Sequence, residues 1–262
     1  MSILNSGVLH AQVEWKSIEG KADKIYADPT GFLYFVQADI INKTDLNGKI
    51  LYTYSNKVLG PVTSMDIGLP LRPIIFYAEQ PALVFTDNTI SQQNTKVSYL
   101  QDNLPGQITL VANSYFNNSI WAYDRQNFKL LRLNQQLKSE VETQNLAVLL
   151  NLKQLDPVSM QEKSDRLYIN NPSSGILVFD IFGTYYKNIP EQNITHFQVE
   201  GNLLWYLKDN KLFHFDLITF KHSEAALNRF DIIWFSIAKE QLFILNKEKK
   251  VLSTSISGLT FK

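Results

Sequence analysis

The chain has 262 residues, of which 45% are hydrophobic and 19% charged, so it carries enough apolar sequence for a compact core and falls outside the intrinsically disordered class. Lys and Arg together number 25, as do Asp and Glu, so no net charge is available to hold a polyanion and we expect no nucleic-acid partner. The chain has no cysteine, which excludes disulfides, zinc–thiolate sites and thiol nucleophiles. No apolar run approaches the roughly 20 residues that cross a bilayer, so no transmembrane segment is expected.

Residues 1–11 differ from the rest of the chain, because they are apolar and small in character and end at Ala11. This is similar to the tail of a secretory signal, although Leu9 is larger than the residue preferred three positions before a cleavage site. The signal interpretation predicts an exported, periplasmic protein that begins at Gln12. The alternative is a disordered or tag-like tail on a cytoplasmic protein. In both cases residues 12–262 are expected to form one domain.

Six positions along the chain share one pattern: an aliphatic residue stands four places before a short polar residue that starts a turn. These polar residues are Asp45, Asp87, Asn134, Asp180, Asp216 and Ser255. In three of the six, glycine follows three residues later, at Gly48, Gly183 and Gly258. A short polar side chain bonds the backbone of its own turn while glycine takes a positive φ, which is the chemistry of a hairpin. Each position therefore marks the end of one strand and the turn into the next.

A second run rich in β-branched and aromatic residues lies before each of these strands. The six runs cover residues 32–36, 74–77, 120–123, 167–169, 203–207 and 242–245. The polar markers recur about every 42 residues on average, which is the period of a four-stranded propeller blade. Only residues 145–155 look helical. The sequence therefore predicts an all-β protein, a β-propeller of six blades with four antiparallel strands each. Five or seven blades are the alternatives, because the first and last units are incomplete.

The segment Val13–Ile18 precedes the first unit and is free to pair with the last blade. Closure by a strand from the other terminus would lock the ring against opening at an edge. Residues 259–262 are a second candidate for the outer strand of the last blade, in which case the N-terminal strand would only cap it. We expect a monomer when the protein is free.

The run Asp28–Phe35, followed by Ile41–Gly48, resembles the blades of six-bladed propellers of the NHL and TolB-like kind. The resemblance covers residues 20–262 and is sharp in the first, fourth and fifth units. It implies the fold, which hosts hydrolases, lyases and binding platforms, and it implies no particular activity.

A narrower resemblance lies in Met65–Tyr77 and in the run 84–88 that follows it. These residues are similar to a segment of exported Bacteroidetes propellers, among them one associated with the outer-membrane translocon of the type-nine secretion system. The Ala11–Gln12 step is also similar to signal cleavage sites of that phylum. This resemblance implies a periplasmic protein that docks on a large pore and can occlude it.

No catalytic, metal-binding or cofactor-binding constellation is recognised, and no cofactor is expected. The aligned acids at strand ends are predicted to form Asx turns rather than a ring of metal ligands. No histidine has a partner at the spacing of a metal-binding helix, and His214 is predicted on the polar side of its strand; the four are His10, His196, His214 and His222. Large rings are predicted to pack between blades rather than to stack on sugars, namely Trp121, Trp205 and Trp234.

The loop Asp66–Pro73 is the candidate contact for a protein partner. Two prolines bracket Leu71 and Arg72, and a stiff loop loses little entropy on binding. Leu71, Arg72 and Tyr77 are therefore the predicted protein-binding residues. The alternative is a loop that is rigid only because it packs on the next blade.

Together these features predict a non-enzymatic platform that binds a protein, in the periplasm and with a secretion translocon as one such partner. An enzyme of the same architecture, a metal-assisted hydrolase or lactonase acting in the channel, is the first alternative. A carbohydrate-binding module with exposed aromatic rings is the second.

Overall fold

The computed structural model describes residues 13–93 and 97–262, and these form six four-stranded antiparallel sheets arranged as the blades of a propeller. The first strand of the chain belongs to blade six, and the next four strands form blade one. The N-terminal strand is β1 (Lys16–Lys21). Blades one to three contain β2 (Lys24–Ala27), β3 (Leu33–Gln37), β4 (Ile40–Thr44) and β5 (Ile50–Ser55); β6 (Ser64–Asp66), β7 (Ile74–Tyr77), β8 (Ala82–Phe85) and β9 (Ser98–Tyr99); and β10 (Ile108–Asn113), β11 (Ile120–Asp124), β12 (Lys129–Leu133) and β13 (Ser139–Glu142).

Blades four to six follow the same pattern. Their strands are β14 (Ser159–Lys163), β15 (Arg166–Asn171), β16 (Gly175–Asp180) and β17 (Tyr185–Ile189); β18 (Phe197–Glu200), β19 (Leu203–Lys208), β20 (Lys211–Asp216) and β21 (His222–Ala226); and β22 (Ile232–Ala238), β23 (Gln241–Asn246) and β24 (Lys250–Ser255). Short 3₁₀ helices cover Leu100–Asp102 and Ile256–Gly258. The helix α1 (Leu146–Leu149) lies within the predicted helical segment, and the Asn145 side chain caps it by accepting from the amide of Val148 at 3.0 Å. The predicted fold class is confirmed.

The ring is closed by the N-terminal strand. β1 pairs antiparallel with β24, with Ile18 opposite Val251, and supplies the outer strand of blade six. Residues 259–262 do not take that place. Instead, the backbone of Lys262 exchanges hydrogen bonds of 3.0 and 3.1 Å with Glu224 on β21 of blade five. Blade six is therefore built from both ends of the described chain, so opening the ring requires breaking a strand pair.

The turn chemistry read from the repeat is confirmed at five of the six markers. The side chains of Asp45, Asp87, Asn134, Asp180 and Asp216 each accept two backbone amides of the following turn, at 2.8–3.1 Å. Gly48 and Gly183 have φ of +92° and +80°. The sixth marker, Ser255, begins a 3₁₀ helix instead, because the fourth strand of its blade comes from the N-terminus and no hairpin is needed.

The core is divided into six apolar clusters, one between each pair of neighbouring blades. The strands in the middle of a blade are buried on both faces for this reason, and their apolar runs do not alternate with polar residues. Trp121 fills the junction of blades three and four, and Trp205 that of blades five and six. Both tryptophans pack as predicted.

Side chains of the inner strands also join neighbouring blades around the central channel. Each of the six junctions has one side chain that accepts a backbone amide of the adjacent blade. The pairs are Tyr26 with Met65, Asp66 with Asn113, Glu162 with Tyr115, Gln161 with Val199, Gln198 with Ile237 and Ser236 with Ala27, at 2.7–3.3 Å. The innermost strands do not pair with one another, so these bonds supply the partners that their amides would otherwise lack.

Residues 1–11, the predicted signal remnant or tail, lie outside the described residues. In the part of the chain that is described, no helix is long and apolar enough to span a membrane.

Candidate functional site

Two regions of the propeller are candidate binding sites. The first is the side of the disc that carries the turns between the first and second strands and between the third and fourth strands of each blade, which we call the turn face. The second is the central channel. All inner strands run in the same direction, so equivalent turns of different blades lie on the same side and can form one surface.

The turn face carries large exposed apolar side chains in blades one to five, with Leu46 in blade one. We call the set in blades two to five the turn-face patch: Leu71, Tyr115, Phe116, Phe182, Ile218 and Phe220, with exposed fractions of 37–75%. A run of contacts connects blades two to four. Between blades two and three, the Tyr115 hydroxyl donates to the Gly68 carbonyl at 3.0 Å. In blade three, the Arg132 guanidinium lies 4.4 Å from the centre of the Phe116 ring. The same guanidinium donates to the carbonyl of Ile181 in blade four, the residue before Phe182.

Two cations lie beside the rings of blades four and five. The Arg166 guanidinium is 4.9 Å from the ring centre of Tyr186, a side chain that is 59% exposed, and Lys187 Nζ is 4.0 Å from that of Phe220. Over residues 13–93 and 97–262, neither cation forms an ion pair with an acid. Burial, together with the charge of Arg166, lowers the pKa of Lys187. This part of the turn face is thus aromatic and carries uncompensated positive charge.

The predicted contact residues of blade two are placed differently from one another. Leu71 is 75% exposed at the tip of the loop. Arg72 is half-buried, with its guanidinium 5.0 Å from the ring centre of Phe85. Its Nη1 has no hydrogen-bond partner among the described residues. Tyr77 is fully buried in β7, where it packs in the cluster between blades one and two. This corrects its assignment to a contact surface: strand β7 is buried on both faces, so an aromatic residue there has no route to solvent.

The loop that carries Leu71 is held by Asp66. Its carboxylate accepts the amide of Gly68 at 2.8 Å and the amide of Asn113 in the next blade at 2.8 Å. Burial raises the pKa of this carboxyl group, and the hydrogen bonds and Arg72 oppose the rise. The buried acid therefore ties the loop to the neighbouring blade, and the rigidity of the loop expected from the two prolines stays a prediction.

The central channel contains a cavity of about 350 Å³. Its aromatic wall is built by His196 and Trp234, whose rings stack at 4.1 Å with an interplanar angle of 21°, and by Tyr26, whose ring meets Trp234 edge-on at 5.8 Å. The indole Nε1 of Trp234 donates to the carbonyl of Ile25 at 2.7 Å, so the ring is fixed. Burial lowers the pKa of His196 to about 3, so this imidazole is neutral at pH 7.

The charged groups of the cavity are unevenly paired. Lys163 lies 3.6 Å from Glu200. Lys24, on the first inner strand, donates to the carbonyl of Thr63 and forms no ion pair in the described ranges. The neighbouring acid Asp23 is held by Lys249 at 2.6 Å. Lys24 is therefore the cation of this cavity that has no acid bound to it.

The other histidines have no shared site. His214 packs between Trp205 and Phe261, with ring centroids 4.9 Å from each, and burial lowers its pKa. The prediction that it points away from the apolar side of its strand is wrong, because both sides of β20 pack against apolar neighbours, with Phe215 on one side and Leu212 on the other. His222 lies at Glu191, 3.6 Å away, and His10 is outside the described residues. Among the residues that the structure describes, no group of three or more His, Asp or Glu side chains could hold a metal ion.

Sequence reasoning missed Phe182 and Phe220 on the surface and Lys24, His196 and Trp234 as a group in the channel. A signal for the surface residues is present, because Phe182 and Ile218 follow their marker aspartates by two positions and so fall in the predicted turns. No such signal exists for the channel. Its residues are far apart in the chain and meet only when the inner strands form a ring.

The solved structures that resemble this chain are propellers. They include the WD40 domain of Neurospora crassa Pan2 (9% identity, 92% of this chain and 95% of that one covered, TM-score 0.66) and virginiamycin B lyase from Staphylococcus aureus (13%, 93% and 99%, 0.64). They also include PorZ, described as a surface component of the type-IX secretion system of Porphyromonas gingivalis (11%, 95% and 39%, 0.54). Identities this low establish a common fold and nothing more. No protein-family model matches the sequence, and no curated protein does.

Proposed function

We propose that the protein is a non-enzymatic platform that binds a protein partner through the turn-face patch. The observation that carries this proposal is the arc of large, exposed apolar side chains that runs over blades two to five on one side of the disc. Contiguous exposed apolar surface is rare on monomers and is typical of interaction sites. Aromatic and arginine side chains are also the residue types that contribute most to binding energy at protein interfaces.

The opposite side of the disc also has exposed apolar side chains, but they are arranged differently. Val58, Val148 and Phe230 are 78–83% exposed. Within the described ranges, Phe230 has no ring or cation–π contact with a neighbour. On the turn face, cation–π contacts are made by Phe116 with Arg132, by Tyr186 with Arg166 and by Phe220 with Lys187. Side chains that are already fixed lose less entropy on binding, which favours the turn face as the binding surface.

The charge of the patch indicates the chemistry of the partner. Arg166 and Lys187 are cations without a bound acid, and both lie at exposed aromatic rings. A partner segment that carries apolar side chains next to Asp or Glu would fill the patch and compensate these charges. We infer a partner of that composition.

We further propose that the protein is exported to the periplasm and that an outer-membrane secretion translocon is this partner. Two observations support the proposal: the small-residue segment that ends at Ala11, and a propeller fold similar to that of PorZ. The channel-enzyme alternative receives less support, because polar channel side chains such as Asp66, Gln161 and Gln198 are engaged in hydrogen bonds between blades. The sugar-platform alternative needs exposed tryptophan or tyrosine rings: Trp121 and Trp205 are buried, while Tyr115 and Tyr186 are exposed.

The test compares three tagged proteins expressed in the native host, cross-linked, purified and analysed by mass spectrometry. They are the wild type, the double variant Phe182→Asp/Phe220→Asp on the turn face, and the matched variant Phe230→Asp on the opposite face. We expect an envelope protein to be recovered with the wild type and with Phe230→Asp, and to be lost with the double variant. The same spectra give the mature N-terminus, expected at Gln12.

Recovery of the same partner with all three proteins would show that the turn face is not the binding surface. Loss with Phe230→Asp alone would move the interface to the opposite side of the disc. A mature chain that still begins at Met1 would contradict export.

A further inference from the structure

The central channel contains a second candidate site, which is separate from the turn-face patch and does not depend on a protein partner. Its cavity of about 350 Å³ falls in the range of small-molecule pockets, roughly 300–1,000 Å³. Such pockets combine a mostly apolar wall with a few polar groups that fix the orientation of the ligand. The channel of this propeller has both features.

The apolar wall is formed by side chains from several blades. Met65, Leu110 and Met160 of blades two to four line the cavity together with Trp234 of blade six. The stacked imidazole of His196 and the hydrogen bond to Ile25 hold this indole in place. Thioether and aromatic side chains make favourable contacts with flat, polarisable rings. The wall therefore fits an aromatic body better than an extended or strongly hydrated one.

The polar end of the cavity is formed by Lys24. An ammonium group has three donors, and Lys24 uses one of them on the carbonyl of Thr63. Among the charged groups that line the cavity, Lys163 is paired with Glu200, and Asp66 accepts two backbone amides and interacts with Arg72. Lys24 thus remains as an enclosed cation that still has donors to offer.

We propose that the channel binds a small aromatic anion, with the ring system against Trp234 and Met65 and the acidic group on Lys24. A carboxylate or sulfonate would accept the remaining donors of the ammonium in a charge-assisted hydrogen bond, which is among the stronger polar contacts in proteins. It would also compensate a cation that is partly removed from water, consistent with a pKa of Lys24 that burial lowers. A neutral aromatic ligand would gain only the apolar contacts.

The experiment uses two fluorescent dyes that share a ring system and differ in charge. They are 1-anilinonaphthalene-8-sulfonate and its neutral analogue N-phenyl-1-naphthylamine, each titrated against the folded full chain. We expect one sulfonate dye per chain and a lower Kd for the sulfonate dye than for the neutral one. Lys24→Met should weaken the sulfonate dye about tenfold or more and change the neutral dye by less than about twofold. Lys221→Met, at an exposed lysine of blade five, is the matched control and should change neither.

Two further variants locate the dye, because both dyes also bind exposed apolar surface. Leu110→Trp fills the cavity and should abolish binding of both dyes, with folding checked by far-UV circular dichroism. Phe182→Asp/Phe220→Asp should leave the sulfonate dye unchanged. Loss of the dye with the turn-face variant, or an equal effect of Lys24→Met on both dyes, would overturn the proposal. In the first case the dye binds the turn-face patch. In the second case Lys24→Met acts through the structure of the cavity and not through the charge of Lys24.

Discussion

Glu162 bridges two blades through a carboxylate that is buried, and its replacement by glutamine tests whether the channel wall is held by such contacts. Glu162 is only 2% exposed. Its Oε1 accepts a hydrogen bond from the amide of Tyr115 at 2.7 Å, and its Oε2 accepts one from the indole N–H of Trp121 at 2.5 Å. Glutamine has one acceptor oxygen, so one of these two N–H groups loses its partner. A buried unsatisfied donor costs about 1–3 kcal/mol, and we expect Glu162→Gln to lower the free energy of unfolding by about 2 kcal/mol.

For a chain of this size that loss corresponds to a fall in Tm of roughly 4–8 °C. The assay is urea denaturation followed by far-UV circular dichroism, with thermal melting as the second readout. The matched control is Glu142→Gln, at an acid that is half-exposed beside Lys129, where we expect a change within about 0.5 kcal/mol. If Glu162→Gln were as mild as the control, the blade junction would not depend on this carboxylate and the reasoning would be refuted.

Three further predictions concern closure, backbone strain and pH. Ile18 is a 2% exposed residue of the closing strand, and Ile18→Ala should lower the free energy of unfolding in urea by about 3 kcal/mol. Ile50→Ala, at a 56% exposed residue, should lower it by less than about 0.5 kcal/mol. Equal losses would contradict closure by β1. Gly175→Ala should lower the free energy of unfolding by more than about 2 kcal/mol in the same assay, because φ is +115° and an added Cβ would lie 2.2 Å from the carbonyl oxygen of Ile189 on β17. Gly258→Ala is the control: its added Cβ meets no described atom within 4 Å, and it should be neutral. Folding lowers the pKa of His196 from 6.5 to about 3, so the unfolded chain binds the proton first and stability is lost as the pH falls below 6.5. His196→Phe should therefore remove on the order of 2 kcal/mol of the loss in unfolding free energy between pH 7 and 4.5. An unchanged pH dependence would show that His196 is not buried as described.

Much of the architecture was readable from local chemistry. The polar markers at strand ends were recognisable because an Asx turn is formed within five residues, by a side chain and the backbone next to it. The blade count followed from their period. The N-terminal segment was one of two candidates for the closing strand, since an unpaired edge is unfavourable, and the structure decided for it and against residues 259–262.

The exposure of individual side chains was less accessible. Alternation of apolar and polar residues places His214 on the polar side of its strand, but the chain end carrying Phe261 returns to cover it. Tyr77 follows a loop with exposed residues and is nevertheless buried, because blades pack on both faces. Both errors come from neighbours that are distant in sequence.

The sequence by itself determined the repeating unit and its turns, because hairpins and strand periodicity depend on contacts between residues that are near in the chain. Which of the two candidate segments closes the ring depends on contacts between distant parts of the chain, and the tertiary structure decided it. Only the tertiary structure decided which residues share a site. Lys24, His196 and Trp234 meet because the first strand of every blade faces one axis, so residues about two hundred positions apart line the same cavity. The turn-face patch arises in the same way, from turns of successive blades that the ring places side by side.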